Sequence, residues 1–354
     1  MLGTSSTIVG AGIGGASSAY YLRQLFGNKV SITLFEQSGR IGGRMKAISF
    51  CEETCETGAN VFHSSNNYIL SFARKFKLRI HRLTEADQRL FLFDNGYKPV
   101  FSDVDAKSSI LTPFRLLWRY GLSLFKSRFY VTSMVREFIK LRLSYELKNS
   151  DAPEESSFDY VILAIPHHQE STLMTSDDIK LPKVQYHAMN NTLLSGNINY
   201  SLFGLPQNAL QCNQMVSFLP ISNYHSHEKH PVRSIMHLPV KPTNTEAPDG
   251  IWSIFSEPKS IPDPKTFLSN LILKDPNDEE NRVDVIRWLA YPKYHPVADP
   301  YTDLGQFKLA PGVYYPNAIE LAASCMEMAI IGGRNVALMI AKERIPPVDS
   351  ASSS

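Results

Sequence analysis

The glycines at positions 10, 12 and 15 constrain this chain more than anything else in it. They follow a short strand-like run ending Ile8-Val9 and open an apolar, helix-like run from Ala16 to Phe26. A second strand-like run, Val30 to Phe35, ends on the acidic Glu36. That order predicts a βαβ unit in which glycine lets the backbone approach a pyrophosphate at a helix N-terminus. The carboxylate of Glu36 then stands where it can accept hydrogen bonds from a ribose. Alanine and serine dominate the first helical turn, so the helix can lie close to the strands.

A second glycine cluster, Arg40-Ile41-Gly42-Gly43-Arg44, separates the two common dinucleotides. A nicotinamide fold does not need it just after the acidic strand end, whereas many flavoproteins carry it there. Paired glycines make a tight backbone passage beside the cofactor, and the arginine can pair with a diphosphate. The reading is FAD rather than NAD. The candidate cofactor-binding residues are Gly10, Gly12, Gly14, Gly15, Glu36, Gly42, Gly43 and Arg44. Gly58 and Ala59, after a hairpin-like stretch, and Glu320, at a helix start near the C-terminus, complete the set.

With 354 residues and 43% hydrophobic content, the chain can bury a sizeable core in about two domains. A net charge of +2 gives no electrostatic case for nucleic acid. No uncharged apolar run is long enough to span a bilayer, and Met1 to Ser6 lack the regions of a signal peptide. A genuine start at Met1 would imply the cytoplasm. Cys51 and Cys55 are close enough to pair across a turn, but no second pair completes a zinc site, and no metal is expected. Asn190-Asn191-Thr192 and Asn199-Tyr200-Ser201 are glycosylation sequons, which matter only in a secreted chain.

The expected fold is α/β, a Rossmann-like FAD-binding domain of the Gly-Gly-Arg type with a mixed-sheet α+β substrate domain. The first is expected from 1–77, 144–174 and 311–345, the second from 78–143 and 175–310. Tyr68 to Lys77 has the spacing of an amphipathic helix, and Asp94-Asn95-Gly96 is a hairpin signal. Phe158 to Pro166 reads as a buried parallel strand ending at the cofactor edge of the sheet. Ile261 to Lys274 and Leu321 to Ala341 read as helices. From Phe114 to Arg142 runs a pair of basic amphipathic helices, with seven positive charges against Glu137. They suit either a membrane surface or the outside of a substrate domain.

His63 is the candidate catalytic residue, because it follows the Gly58-to-Phe62 segment expected to pass the flavin ring; a hydrogen-bonded structural role is the alternative. His167 and His168 follow a strand end. Tyr224, His225, His227 and His230 have metal-like spacing in what reads as a solvated turn.

The sequence resembles the prenylcysteine oxidase (prenylcysteine lyase) family. The matching text is Val9 to Gly15, Ala19 to Gln24, Phe26-Gly27, Leu34 to Glu36, Gly42 to Arg44 and Trp118 to Gly121. In the C-terminal third it is Trp288 to Pro292, Tyr314-Tyr315, Asn317, Glu320, Ala322 to Ser324 and Met326 to Met328. The resemblance implies oxidative cleavage of a farnesyl- or geranylgeranyl-cysteine. The carbon beside sulfur gives a hydride to the flavin, water adds to the thiocarbenium ion, and cysteine and a prenyl aldehyde separate. Dioxygen reoxidises the flavin and yields peroxide. It also implies a lysosomal glycoprotein; peripheral membrane contact is expected instead from the aromatic, basic run Phe114 to Arg142. Sulfur stabilises the cation, so no strong base is required, and the chain accordingly shows no triad and no paired carboxylates.

Three departures stand against the family pattern. A mostly helical stretch before the Val161-Ile162-Leu163 strand is absent, with Leu143 running directly into Ser144. The family's signal peptide is missing. Ala318 replaces a usual glycine, where its methyl would crowd the cofactor. An amine- or polyene-oxidising flavoprotein, and a shortened form without activity, remain the alternative readings.

Overall fold

The structure, a computed structural model, describes residues 4–59, 61–80, 82, 88–93, 99–102, 158–167, 179, 181–182, 184–200, 215–220, 232–241, 250–259, 261, 263, 282–294 and 305–344. The expected βαβ unit is present: β1 (Thr4–Val9), α1 (Ile13–Phe26) and β2 (Val30–Phe35). The strands pair in parallel, with Ile8 opposite Leu34. A hairpin follows, β3 (Ala47–Phe50) and β4 (Glu53–Glu56), then α2 (Asn67–Lys75). Next come β5 (Gln88–Phe93), β6 (Pro99–Ser102) and β7 (Tyr160–Leu163). β8 (Tyr186–Ser195), β9 (Met215–Pro220), β10 (Val232–Leu238), β11 (Ile251–Ser256) and β12 (Val283–Pro292) build the middle. The chain closes with β13 (Lys308–Ala310), β14 (Val313–Tyr314), a 3-10 helix at Pro316–Leu321 and α3 (Met326–Arg344).

Two large sheets result. The first runs β13-β14-β7-β1-β2 and uses both ends of the chain. β7 lies parallel between β1 and β14, so the apolar run at Phe158 to Pro166 forms an interior strand, trimmed to four residues. β13 joins this sheet by pairing with β14, just before the boundary expected at residue 311. The second sheet runs β12-β8-β11-β10-β9-β5-β6, antiparallel except where β5 meets β9. β5 and β6 flank the Asp94-Asn95-Gly96 signal, whose turn lies outside the described residues. So do the expected helices at Phe114 to Arg142 and nearly all of Ile261 to Lys274. Among the described residues, no helix is long and apolar enough to cross a membrane.

The β3–β4 hairpin lies on the second sheet, where Phe50, Cys51 and Cys55 pack with Leu193, Leu238 and Ile251. Its two turn residues, Cys51 (φ 47°) and Glu52 (φ 58°), both lie in the left-handed region that a two-residue type I′ turn requires. Cys51 and Cys55 are buried and not joined in a disulfide, and burial pushes the Cys55 thiol up to about 11. Asn190 lies buried within β8 between β11 and β12, a position with no room for a glycan in the folded sheet.

Sequence periodicity places the last helix from Leu321, but the structure breaks the chain there. Pro316 opens a 3-10 turn, Ala322 and Ala323 donate to the Ile319 carbonyl, and the Ser324 N–H is taken by the Tyr294 hydroxyl at 2.7 Å. α3 begins only at Met326. It crosses α1 closely enough that a Cβ on Gly333 would stand 2.7 Å from the Gly14 carbonyl oxygen and 2.8 Å from the Ser18 nitrogen. Ser17 and Ser18 face this crossing with their hydroxyls satisfied by Ile13 and Gly14 carbonyls, at 2.6 and 2.9 Å. Beneath lie Ile8, Leu22, Ile162, Tyr314, Val336 and Ile340.

Gly333→Ala is expected to destabilise the fold. Alanine recovers about 1 kcal/mol of helix propensity, but overpacking against backbone that cannot turn aside costs about 1–3 kcal/mol. Gly39→Ala, where nothing lies within 4 Å, should change little. Chemical denaturation of the two variants measures the difference.

Candidate cofactor site

The N-terminus of α1 is the centre of the site. Gly10 (φ 104°) ends β1 where a Cβ would stand 2.6 Å from the Ala164 carbonyl oxygen. Gly15 lets the first turn lie on the strands, since a Cβ there would stand 1.9 Å from the Gly10 carbonyl oxygen. Gly12 is the N-cap, and no side chain caps the helix. Its first amides therefore remain available to an anion, on the positive end of the helix dipole. Gly14, 3.7 Å from Asn317 on the same test, is in ordinary contact only.

The second glycine cluster wraps this end. Gly42 forms a parallel bridge to Gly12 and donates its N–H to the Ala11 carbonyl at 2.9 Å. Gly42 (φ 112°) and Gly43 (φ 59°) are both left-handed, and a Cβ on Gly43 would stand 3.2 Å from the Gly12 Cα. Arg40 ties the loop to itself through the carbonyls of Gly43 and Met45, at 2.6 and 3.1 Å. The segment after the hairpin passes alongside. Ala59 donates to the Arg44 carbonyl at 3.2 Å, and Gly58 has no room for a side chain against that carbonyl.

Glu36 braces the glycine turn. Its Oε2 accepts the Ala11 N–H at 2.8 Å, and its Oε1 accepts the Ser38 N–H and hydroxyl at 2.9 and 2.8 Å. The Ser38 backbone bond is the largest cause holding this carboxyl below its ordinary value; the Ala11 bond adds to it, against partial burial. A carboxylate offers about four lone-pair positions. With three used, one remains for a ribose hydroxyl.

Arg44 reaches toward the second sheet and the C-terminal turn. Its guanidinium forms an ion pair with Glu320, and it also reaches the Ala290 carbonyl at 3.4 Å and the Tyr186 ring at 5.6 Å. Burial works against the guanidinium charge, but the adjacent Glu320 carboxylate outweighs it. Glu320 is 3% exposed and accepts from Asn317 Nδ2 at 3.1 Å and the Tyr186 hydroxyl at 2.8 Å. Burial lifts the Tyr186 and Tyr315 phenols well above their ordinary range, so both stay neutral; Tyr186 donates to Glu320, and the Tyr315 hydroxyl accepts the His167 N–H at 3.4 Å. Arg44 and Glu320, both expected from sequence at the cofactor, pair with each other. Tyr186 and Ala290 carried no local signal. The Ala318 methyl is buried with Leu163 and Tyr315.

His63 is exposed in the turn before α2, where its Nδ1 accepts the Ser65 N–H at 3.1 Å. No described hydrogen bond joins it to the glycine cradle. The His167 ring donates through Nδ1 to the Pro182 carbonyl at 3.2 Å. His168 and the Tyr224-to-His230 cluster lie outside the described residues. Among the described residues, no group of three metal-ligating side chains is present.

A profile described as prenylcysteine lyase matches residues 141–350, more than half of the chain. The chain belongs to the prenylcysteine lyase family. An NAD(P)-binding Rossmann-like domain matches residues 8–76. Bovine prenylcysteine oxidase 1-like is 37% identical over 134 residues, covering 38% of this chain and 26% of that protein. Human prenylcysteine oxidase 1 is 34% identical over 134 residues, covering 38% and 25%. The matched stretch is thus about a quarter of those relatives' length. The fold is that of a putative protoporphyrinogen oxidase from an Exiguobacterium species, with TM-score 0.60 and 15% identity, covering 96% of this chain and 99% of that one. Putrescine oxidase bound to putrescine superposes with TM-score 0.53 and 12% identity, at the same coverage.

Glu320→Ala removes the only described carboxylate beside Arg44 and should cost about 1.5–3 kcal/mol of unfolding free energy, because it takes the charged partner from a half-buried guanidinium that water can only partly solvate. Denaturant titration reads the loss. For Glu36 the pH dependence carries a sign. Its folded pKa is depressed, so its contribution is complete above the unfolded value near 4.5 and fades as pH falls through the lower folded value. The gap in thermal midpoint between the parent and Glu36→Gln should therefore be full at neutral pH and close in acid.

Proposed function

We propose that this chain is an FAD-dependent oxidase that cleaves the thioether of a prenylcysteine, with dioxygen as acceptor. One observation carries the cofactor reading: an uncapped helix N-terminus enclosed by two glycine clusters, with Glu36 bonded to its first turn. Family membership supports the substrate class. A bound flavin would accept the hydride from the carbon beside sulfur. The chain's own part is to hold and orient. The amides of Gly12 to Gly15 would take the diphosphate. The remaining lone pair of Glu36 would take a ribose hydroxyl. The Arg44–Glu320 pair keeps the Gly-Gly-Arg loop against the second sheet.

A second reading, a form that holds flavin but turns over poorly, draws on the position of β2. It is the outer strand of its sheet among the described residues, with Leu34 37% and Phe35 54% exposed. A cofactor pocket open to water on that side would bind a prenyl chain weakly, since each buried methylene is worth about 0.8 kcal/mol.

Purified protein should carry flavin absorbance and release FAD on denaturation. Gly15→Val should lose it, and Glu36→Ala should weaken FAD binding by about 1.5–3 kcal/mol. Absence of flavin after reconstitution, or binding of NAD in its place, would refute the cofactor reading. Farnesylcysteine-dependent peroxide together with free cysteine would support thioether cleavage. Flavin loading without turnover would favour the second reading.

A further inference from the structure

Beyond α2 the chain displays a short basic and apolar strip. Phe76, Leu78 and Ile80 are 57%, 61% and 38% exposed. Arg74, Lys75, Lys77, Arg79 and Arg82 surround them, and every residue from Arg74 to Ile80 is exposed. The sequence holds no acidic residue between Glu56 and Glu85. Among the described residues, no carboxylate pairs with Arg74, Lys77, Arg79 or Arg82.

The strip is built rather than frayed. The Leu78 N–H returns to the Ala73 carbonyl at 2.8 Å and the Lys77 N–H to that of Arg74 at 3.1 Å, a Schellman-type closure of α2. Lys77 takes the left-handed position (φ 54°) that glycine usually fills, at a cost of about 1–2 kcal/mol. Phe76 stacks on Phe72 at 5.8 Å, Phe72 packs edge-on against Tyr20 at 5.0 Å, and Lys75 covers the Tyr20 ring at 4.5 Å. Backbone hydrogen bonds and ring contacts therefore hold the turn while its apolar side chains stand in water.

We propose that the segment Arg74 to Ile80, together with Arg82, docks the protein on an anionic membrane surface. Cations around an exposed aromatic and aliphatic centre match a bilayer interface. Headgroup phosphates and carboxylates meet the charges, and the acyl boundary takes Phe76, Leu78 and Ile80. A purely polyanionic partner would leave the apolar centre wet. An apolar protein partner would leave the cations unmatched. The docking is separate from the flavin reading, because it needs no cofactor.

The test is flotation of the full chain with phosphatidylserine–phosphatidylcholine vesicles and with phosphatidylcholine alone. The parent should prefer the anionic vesicles and lose binding as salt rises. Lys77→Ala with Arg79→Ala should weaken binding about fivefold per charge removed. Phe76→Ser with Leu78→Ser should abolish whatever binding survives high salt. Thermal midpoints near the parent's confirm that both double variants fold. Equal binding to the two vesicle types would overturn the proposal. So would double variants that bind like the parent, which would move docking to another segment. So would a Phe76→Ser, Leu78→Ser variant that dissociates a dimer without changing vesicle binding, which would make the strip a contact between copies.

Discussion

The Arg44–Glu320 ion pair joins residues 276 apart in sequence and ties the Gly-Gly-Arg loop to the C-terminal turn. Glu320 is buried and Arg44 half-buried, so both lose hydration that their mutual attraction alone offsets poorly. The structure supplies the compensation. Tyr186 and Asn317 satisfy Glu320, while the Ala290 carbonyl and the Tyr186 ring meet Arg44. Those partners come from β8, β12 and the C-terminal turn. One cluster therefore sets the Gly-Gly-Arg loop of the first sheet against two strands of the second.

The interrupted C-terminal helix follows from a second buried acid. Glu327 is 1% exposed, and its carboxylate accepts the N–H groups of Tyr68 and Ile69 at 3.0 Å each, capping α2 from another helix. Arg334 lies over the Tyr68 ring at 5.8 Å, and burial pushes the nearby Tyr21 phenol up to about 12. Glu320 and Glu327 are two helical turns apart. In one continuous helix they would share a face. The break at 322–325 turns the first toward Arg44 and the second toward α2, which hydrophobic periodicity alone could not reveal.

What was legible in the sequence was local. Gly10, Gly15, Gly42 and Gly43 each answer a steric or φ requirement set by near neighbours, so their spacing predicts the βαβ unit and its loop. The β-branched run at Tyr160 to Leu163 announces an interior strand for the same reason. The partner of Arg44 was not legible, because guanidinium chemistry fits a diphosphate and a carboxylate equally well and only the tertiary fold brings Glu320 to it. Nor was the Cys51-Glu52 turn, which lacks the Asn-Gly or Asp-Gly pair that usually marks left-handed positions. Asn190 shows the converse: a sequon is a local pattern, and its burial in β8 is a tertiary fact.

Glu320 offsets the charge of Arg44, so the N-terminus of α1 offers the candidate site its positive potential, about half an elementary charge plus its free amides. That potential acts over one helical turn, so the direction of α1 matters more than any single side chain in the cradle. Two contacts fix it: Gly15 against Gly10 beneath, and Gly333 of α3 against Gly14 and Ser18 above. α3 is held in turn by Glu327 on α2, and its approach by Glu320 on Arg44. The C-terminal segment thus bears on the candidate anion site through the direction of α1. A substitution at the α1–α3 crossing would weaken that site by tilting the helix, while leaving every residue of the glycine motifs in place.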